Sequence, residues 1–222
     1  MVQNFVIPHS RPTLDESDLL SVSKVIRSGR IVQGEVVEKF EKNVAKYIGV
    51  DGAVATNTGT SALHLSLLAI GIKEGDYVAM PSFVCTALLN AVRYVGAHPT
   101  LVDIDPETYN IDIRDLKKRV KKSTKAIILP HLFGLPADID EIVSLGIPVI
   151  EDCAQAIGAV YKGRKVGSFG KLSCFSFYAT KVLSTGEGGM VVSDSKSLLK
   201  KIRDFRDYDN KKNYTVRYNY KM

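Results

Sequence analysis

The stretch Ala126-Ile-Ile-Leu-Pro-His-Leu-Phe-Gly-Leu-Pro-Ala-Asp-Ile-Asp-Glu-Ile-Val-Ser-Leu-Gly-Ile-Pro-Val-Ile-Glu-Asp152 decides the fold. Its two ends, Ala126–Leu129 and Val149–Glu151, are apolar runs without polar alternation, as strands buried on both faces should be. Between them, Ile139–Leu145 carries a helical pattern. Strand, helix and strand in that order imply a right-handed crossover and parallel pairing.

Working outward, the same unit recurs. Ala53–Thr56, Tyr77–Met80 and Thr100–Ile104 read as strands. Ser61–Ile70, Cys85–Val95 and Asp112–Lys121 read as the helices that follow them. Past Asp152 the strands come closer together, at Ala159–Tyr161, Leu172–Phe177 and Gly189–Ser193, with a last helix from about Ser195. Ahead of the first strand, Thr13-Leu-Asp-Glu16 fits a capping box with Thr13 as the cap, starting a helix that runs to about Ser28. A second helix spans Glu35 to about Ile48. No repeat, low-complexity tract or linker interrupts the pattern. The expected fold is therefore one α/β domain, a three-layer α/β/α arrangement around a mainly parallel sheet.

Composition narrows the function classes. The 222 residues are 45% hydrophobic and 24% charged, ordinary for a globular protein. No apolar run is long enough to span a bilayer, and Met1 to Pro12 lacks the layout of a secretory signal. A cytoplasmic protein is expected. Cys85, Cys153 and Cys174 are widely spaced, which suits reduced, mostly buried thiols and neither a zinc site nor a disulfide framework. Of the +6 formal charge, +5 falls in residues 200–222, with eight basic and three acidic residues. A second basic cluster, Arg114 to Lys125, reads as the solvated face and end of a helix. Neither cluster has the aromatic and glycine interleaving of a nucleic-acid surface, so no nucleic-acid partner is expected.

In a parallel sheet, ligands gather beyond the carboxyl ends of the strands. Five stretches follow such ends: Thr56–Ser61, Pro81–Thr86, Pro130–Gly134, Asp152–Gln155 and Ser176–Lys181. The turn Asn57-Thr-Gly-Thr-Ser61 either caps a helix or offers amides and the Thr60 and Ser61 hydroxyls to a phosphate. Asp152 closes a buried strand, where a carboxylate needs donors or a cation. It serves as a helix cap or as partner to a protonated ring nitrogen. Ser173-Cys-Phe-Ser-Phe-Tyr-Ala-Thr-Lys-Val-Leu-Ser-Thr-Gly-Glu-Gly-Gly189 delivers Ser176 and Lys181 from an apolar strand into a glycine-rich return. A lysine there is either simply exposed or, when drawn partly out of water, a nucleophilic amine fit for Schiff-base chemistry.

Six motifs in order then carry a resemblance. Ile31-Val-Gln-Gly34 with Gly59-Thr-Ser-Ala-Leu63, Glu151-Asp-Cys-Ala-Gln-Ala-Ile-Gly158, Val166-Gly-Ser-Phe-Gly170, Ser176-Phe-Tyr-Ala-Thr-Lys181 and Gly186-Glu-Gly-Gly189 are similar to the DegT/DnrJ/EryC1/StrS family. These are sugar-nucleotide aminotransferases that use pyridoxal 5′-phosphate (PLP) on the large domain of fold type I. The resemblance implies transfer of an amino group, from glutamate, to a keto-sugar nucleotide through a pyridoxamine intermediate. It implies that Lys181 forms the internal aldimine and shuttles the proton, where related dehydratases carry histidine. It further implies that Asp152 pairs with the pyridine nitrogen, that Gln155 lies near the phenolic oxygen, and that Thr60, Ser61 and Ser176 hold the phosphate. Asn219 resembles a residue that reaches the partner's phosphate in family homodimers. One departure is Pro81-Ser-Phe-Val-Cys85, which puts Cys85 where the family often stacks an aromatic on the ring. By the same resemblance residues 1–222 are the PLP-binding large domain with its N-terminal helices, and Met222 precedes the small C-terminal domain. The alternative expectation is a non-catalytic PLP-binding or assembly fragment.

Overall fold

A computed structural model of the chain describes Pro8 and residues 10–207. The elements run α1 (Glu16–Arg27), α2 (Glu35–Ile48), β1 (Gly52–Thr56), α3 (Gly59–Ala69), β2 (Tyr77–Pro81), α4 (Ala87–Tyr94) and β3 (His98–Val102). They continue with α5 (Ile113–Arg119), β4 (Thr124–Pro130), α6 (Ile139–Val143), β5 (Val149–Asp152), β6 (Val160–Tyr161) and β7 (Arg164–Lys165). The last are β8 (Leu172–Ser176), β9 (Gly189–Ser193) and α7 (Lys196–Arg206).

Seven strands form one sheet in the order β1-β9-β8-β5-β4-β2-β3. Only β9 runs against its neighbours β1 and β8; the other pairings are parallel. Successive strand residues point to opposite faces, and the core divides accordingly. Val54, Val78, Ile128, Ile150 and Val191 pack on one side with α3, α4 and α7. Ala53, Ala79, Ile127, Leu129 and Val192 pack on the other with α2, α5 and α6. This is the expected three-layer α/β/α arrangement.

Several local expectations shift. Thr13 is not the first cap. The capping box belongs to Asp15, whose carboxylate accepts from the Ser17 and Asp18 N–H groups while Asp18 takes the Asp15 N–H. None of the α1 residues is buried. α4 begins at Ala87 rather than Cys85, which frees Cys85 from the helix. β3 lies two residues earlier than the apolar pattern suggests, because its register pairs His98 with Tyr77 and Val102 with Pro81. Ile104 instead forms an isolated bridge with Ile111. Strand β7 has no apolar signature; it closes a two-residue turn in which Lys162 and Gly163 both take positive φ.

Three of the basic residues of α5 are paired, Arg114 with Asp112, Arg119 with Asp115 and Lys117 with Glu141, as a solvated helix face should be. A stronger tie holds the opposite edge. Glu41 of α2 accepts from Arg203 and Arg206 of α7, which also donate to the Ala53 and Ala55 carbonyls of β1.

Ile150 is fully buried at the middle of the sheet. Ile150→Ala should cost about 2–5 kcal/mol, seen as a lower urea midpoint at unchanged slope.

Candidate active site

Because β1, β2, β4, β5 and β8 run the same way, their carboxyl ends and the start of β9 share one edge. A cleft of about 260 Å³ opens there, lined by Thr60, Cys85, His131, Asp152, Gln155, Ser176 and Lys181 among others. Six of the eight residues singled out from the sequence therefore meet in one place. Ser61 does not line the cleft. It is buried beneath it, its hydroxyl 2.9 Å from Thr58 Oγ1, and its N–H is capped by that same oxygen. Thr58 is thus the cap of α3, and the N–H groups of Gly59 and Thr60 lie in the first turn, where no intrahelical acceptor exists. Asn219 lies outside the described residues.

Close approach makes the floor of the cleft. A Cβ added to Gly59 would sit 2.9 Å from the Ser176 Cβ, so only glycine lets the start of α3 rest on the end of β8. This brings the first-turn amides, the Thr60 hydroxyl and the Ser176 hydroxyl to one corner, a donor set suited to a phosphate.

Beneath Asp152 lies its neighbour Glu151, with its side chain fully out of solvent. Five donors meet its carboxylate: the N–H groups of Gly167, Phe169 and Gly170, the Ser173 hydroxyl and His131 Nε2. Burial alone would raise its pKa; His131 and the backbone N–H groups outweigh burial and hold the carboxyl below its ordinary range. Gly167, at φ 94°, lets the loop close, since a Cβ there would meet the Phe175 ring at 2.6 Å. His131 accepts the Ala137 N–H on Nδ1, which leaves its ring proton on Nε2, facing Glu151.

Asp152 behaves oppositely. One oxygen accepts the Ala154 N–H at 3.0 Å; the other accepts no hydrogen bond among the described residues. Burial pushes this carboxyl up, only partly offset by the Ala154 N–H and by the nearby His131 and Lys181. A half-buried carboxylate with a spare acceptor and a raised pKa is matched to a cation in the cleft. Gln155 accepts the Phe133 N–H on Oε1 at 2.9 Å, which fixes the amide so that its NH₂ group is left to donate. Lys181 is half-buried on a turn closed by its N–H to the Tyr178 carbonyl. Cys153 and Cys174 are buried, with thiols pushed well up by burial, while Cys85 is exposed at the cleft. An aldehyde-bearing, phosphorylated pyridinium ring fits these groups: amine, carboxylate, amide donor and phosphate corner stand around one space.

Sequence reasoning assigned no role to His131, Tyr178 or Glu187, which also line the cleft. His131 stood in a stretch after a strand, but its partner Glu151 is twenty residues away and leaves no local signal.

Comparison with known proteins places the chain in a family. The model of the DegT/DnrJ/EryC1/StrS aminotransferase family matches residues 12–222. GDP-perosamine synthase of Escherichia coli O157:H7 is 42% identical over 205 residues, covering 90% of this chain and 56% of the relative. UDP-N-acetyl-3-dehydro-α-D-glucosamine 3-aminotransferase of Acidithiobacillus ferrooxidans is 41% identical, with 96% and 61% covered. The PLP-form of Spr1654 from Streptococcus pneumoniae superposes with a TM-score of 0.87 at 28% identity, covering 91% of this chain and 58% of that one. The chain thus spans somewhat more than half the length of these relatives.

The adjacent acids should respond oppositely to neutralisation. Glu151 has a depressed pKa, so its stabilisation is present above the ordinary carboxylate range and lost as pH falls through the folded value. Glu151→Gln should cost about 3–5 kcal/mol at pH 7 and flatten the acid limb of the stability curve. Asp152 has a raised pKa, so its contribution is lost as pH rises through the folded value, and the ionised group is a cost at neutral pH. Asp152→Asn should therefore raise the thermal midpoint of the cofactor-free chain, by about 2–4 °C per kcal/mol recovered. Thermal melts from about pH 2 to about pH 8 check both.

Proposed function

The chain belongs to the DegT/DnrJ/EryC1/StrS aminotransferase family, and on that footing we propose that it carries the cofactor site of a PLP-dependent sugar-nucleotide aminotransferase that takes its amino group from glutamate. The observation that carries this reading is the convergence of Thr60, Asp152, Gln155, Ser176 and Lys181 on one cleft from separate strand ends. Bound PLP supplies an electron sink for the carbanion formed when the substrate carbon loses its proton. The rest falls to this chain.

Lys181 Nζ would hold the cofactor, and its amine would take and return the proton at the reacting carbon. Its half-buried turn keeps the amine at the cleft rather than free in solvent. Asp152 uses its spare oxygen to accept the ring N–H and keep that nitrogen charged. Gln155 donates its amide toward the phenolic oxygen, and its fixed Oε1 prevents the opposite orientation. Thr60, Ser176 and the first-turn amides of α3 anchor the phosphate, while Ser61 acts from below by holding Thr58 in the cap. Cys85 takes the ring face with a small polarisable group in place of an aromatic. In a homodimer, Asn219 completes the phosphate site of the partner subunit. Three free thiols suit a reducing, cytoplasmic setting. Among the described residues no helix is long and apolar enough to cross a membrane. GDP-perosamine synthase and UDP-N-acetyl-3-dehydro-α-D-glucosamine 3-aminotransferase are named for GDP- and UDP-linked sugars, which supports a keto-sugar nucleotide as acceptor.

Adding PLP should give a near-visible absorbance band, and borohydride should fix the label on the peptide containing Lys181. Lys181→Ala should abolish the band and lower amino transfer by at least about 10²-fold. A labelled peptide from another lysine, with Lys181 unmodified, would contradict the assignment.

A further inference from the structure

Three exposed aromatic rings stand beside the cleft. Phe83 is 51%, Tyr109 46% and Phe133 70% exposed. Their rings form a chain, with centroids 5.7 Å apart and planes at 46° for Phe83 and Tyr109, and 6.4 Å apart and nearly perpendicular, at 81°, for Tyr109 and Phe133. Phe83 and Phe133 each adjoin a residue that lines the cleft, Val84 and Leu132.

The rings are held there against local preference. Tyr109 and Phe133 both take left-handed backbone, φ 60° and 54°, which bulky side chains avoid. Such strain persists only where neighbouring structure enforces it, and it gathers at ligand clamps and active sites. Here the enforcement is visible. Asn110, only 3% exposed, accepts the Leu132 N–H on Oδ1 and donates from Nδ2 to the Leu135 carbonyl, both at 3.0 Å. It clips the Tyr109 loop to the Phe133 loop. Asp105 closes the first loop by accepting from Glu107 and Thr108, and Gln155 of the cleft holds the Phe133 N–H. Two aromatic side chains are thus fixed outward by polar groups that share a residue with the cofactor cleft.

Size says what lies on them. At about 260 Å³ the cleft falls below the roughly 300–1,000 Å³ of pockets that enclose a drug-sized ligand. With the cofactor seated, the nucleotide end of a sugar nucleotide must extend over the rim. We propose that Phe83, Tyr109 and Phe133 form a stacking platform for the nucleobase of the acceptor, which lies on the face of one ring and meets its tilted neighbours edge-on. Every base offers a π-face, so the platform accepts pyrimidine and purine alike, and specificity for one base comes from elsewhere. This inference rests on the sugar-nucleotide reading above, and its test is read separately from cofactor attachment.

The probes are UDP, GDP and, lacking a base, inorganic pyrophosphate, titrated calorimetrically into the chain with and without PLP. UDP and GDP should bind more tightly than pyrophosphate. Phe133→Ala and Tyr109→Ala should each weaken both nucleotides at least about fivefold, leaving pyrophosphate and the PLP absorbance band unchanged. Phe83→Leu, whose loop is outside the Asn110 clip, should weaken them too and serves as the check if either alanine variant unfolds. Nucleotides binding no better than pyrophosphate, or variants binding at wild-type strength, would overturn the proposal. Variants that lose a dimer in sedimentation while keeping nucleotide affinity would overturn it in favour of a face between copies. Failure of the PLP band alone would instead count against Lys181 and leave the platform standing.

Discussion

Everything at the functional edge depends on one buried carboxylate. Glu151, one residue before the end of β5, has no access to water, and an unpaired charge there is prohibitive. Five hydrogen-bond donors compensate it, drawn from the loop at 167–170, from β8 and from the residue after β4. In satisfying Glu151, these segments are fixed relative to β5. Asp152, one residue on, is thereby placed in the cleft with Lys181, and His131 is locked in one tautomer nearby. A group with no access to the cleft sets the geometry of those that line it.

The chain also contains a larger groove, about 840 Å³, between α2, β1 and α7. Its size does not make it the reaction site. Its arginines are already committed: Arg206 bonds the Ala55 carbonyl, Glu41 and Asp207, and Arg203 bonds Glu41 and the Ala53 carbonyl. These pairs fasten helices to an edge strand. The smaller cleft holds the spare acceptor of Asp152, the free amide of Gln155 and an amine, all at strand carboxyl ends. An amine, a carboxylate with a spare acceptor and an amide donor converging at strand carboxyl ends, rather than volume, distinguish the smaller cleft.

The sheet was legible because strands buried on both faces are written as unbroken Val and Ile runs, as at Ala126–Leu129. The place of Lys181 at the cleft was legible because an aromatic strand and a glycine-rich return bracket it. Local patterns failed where several local answers are equal. Thr13 and Asp15 can both cap a helix, and the side-chain geometry at Ser17 and Asp18 chooses Asp15. Ser61 looked like a phosphate ligand because a hydroxyl in a Gly-Thr-Ser turn does not reveal which way it turns; Thr58 Oγ1 takes it. The Glu151 cage, the Arg206 tie across 151 positions and the Asn110 clip join residues whose spacing carries no pattern. Such long-range polar pairings exist only once the chain has folded.

The most direct measurement is a crystal structure of the chain grown with PLP. Continuous density from Lys181 Nζ to the cofactor is the expected result, with the ring nitrogen at Asp152 and the phosphate between the start of α3 and Ser176. A cofactor lodged in the groove between α2 and α7, or joined to a surface lysine while Lys181 stays free, would contradict it.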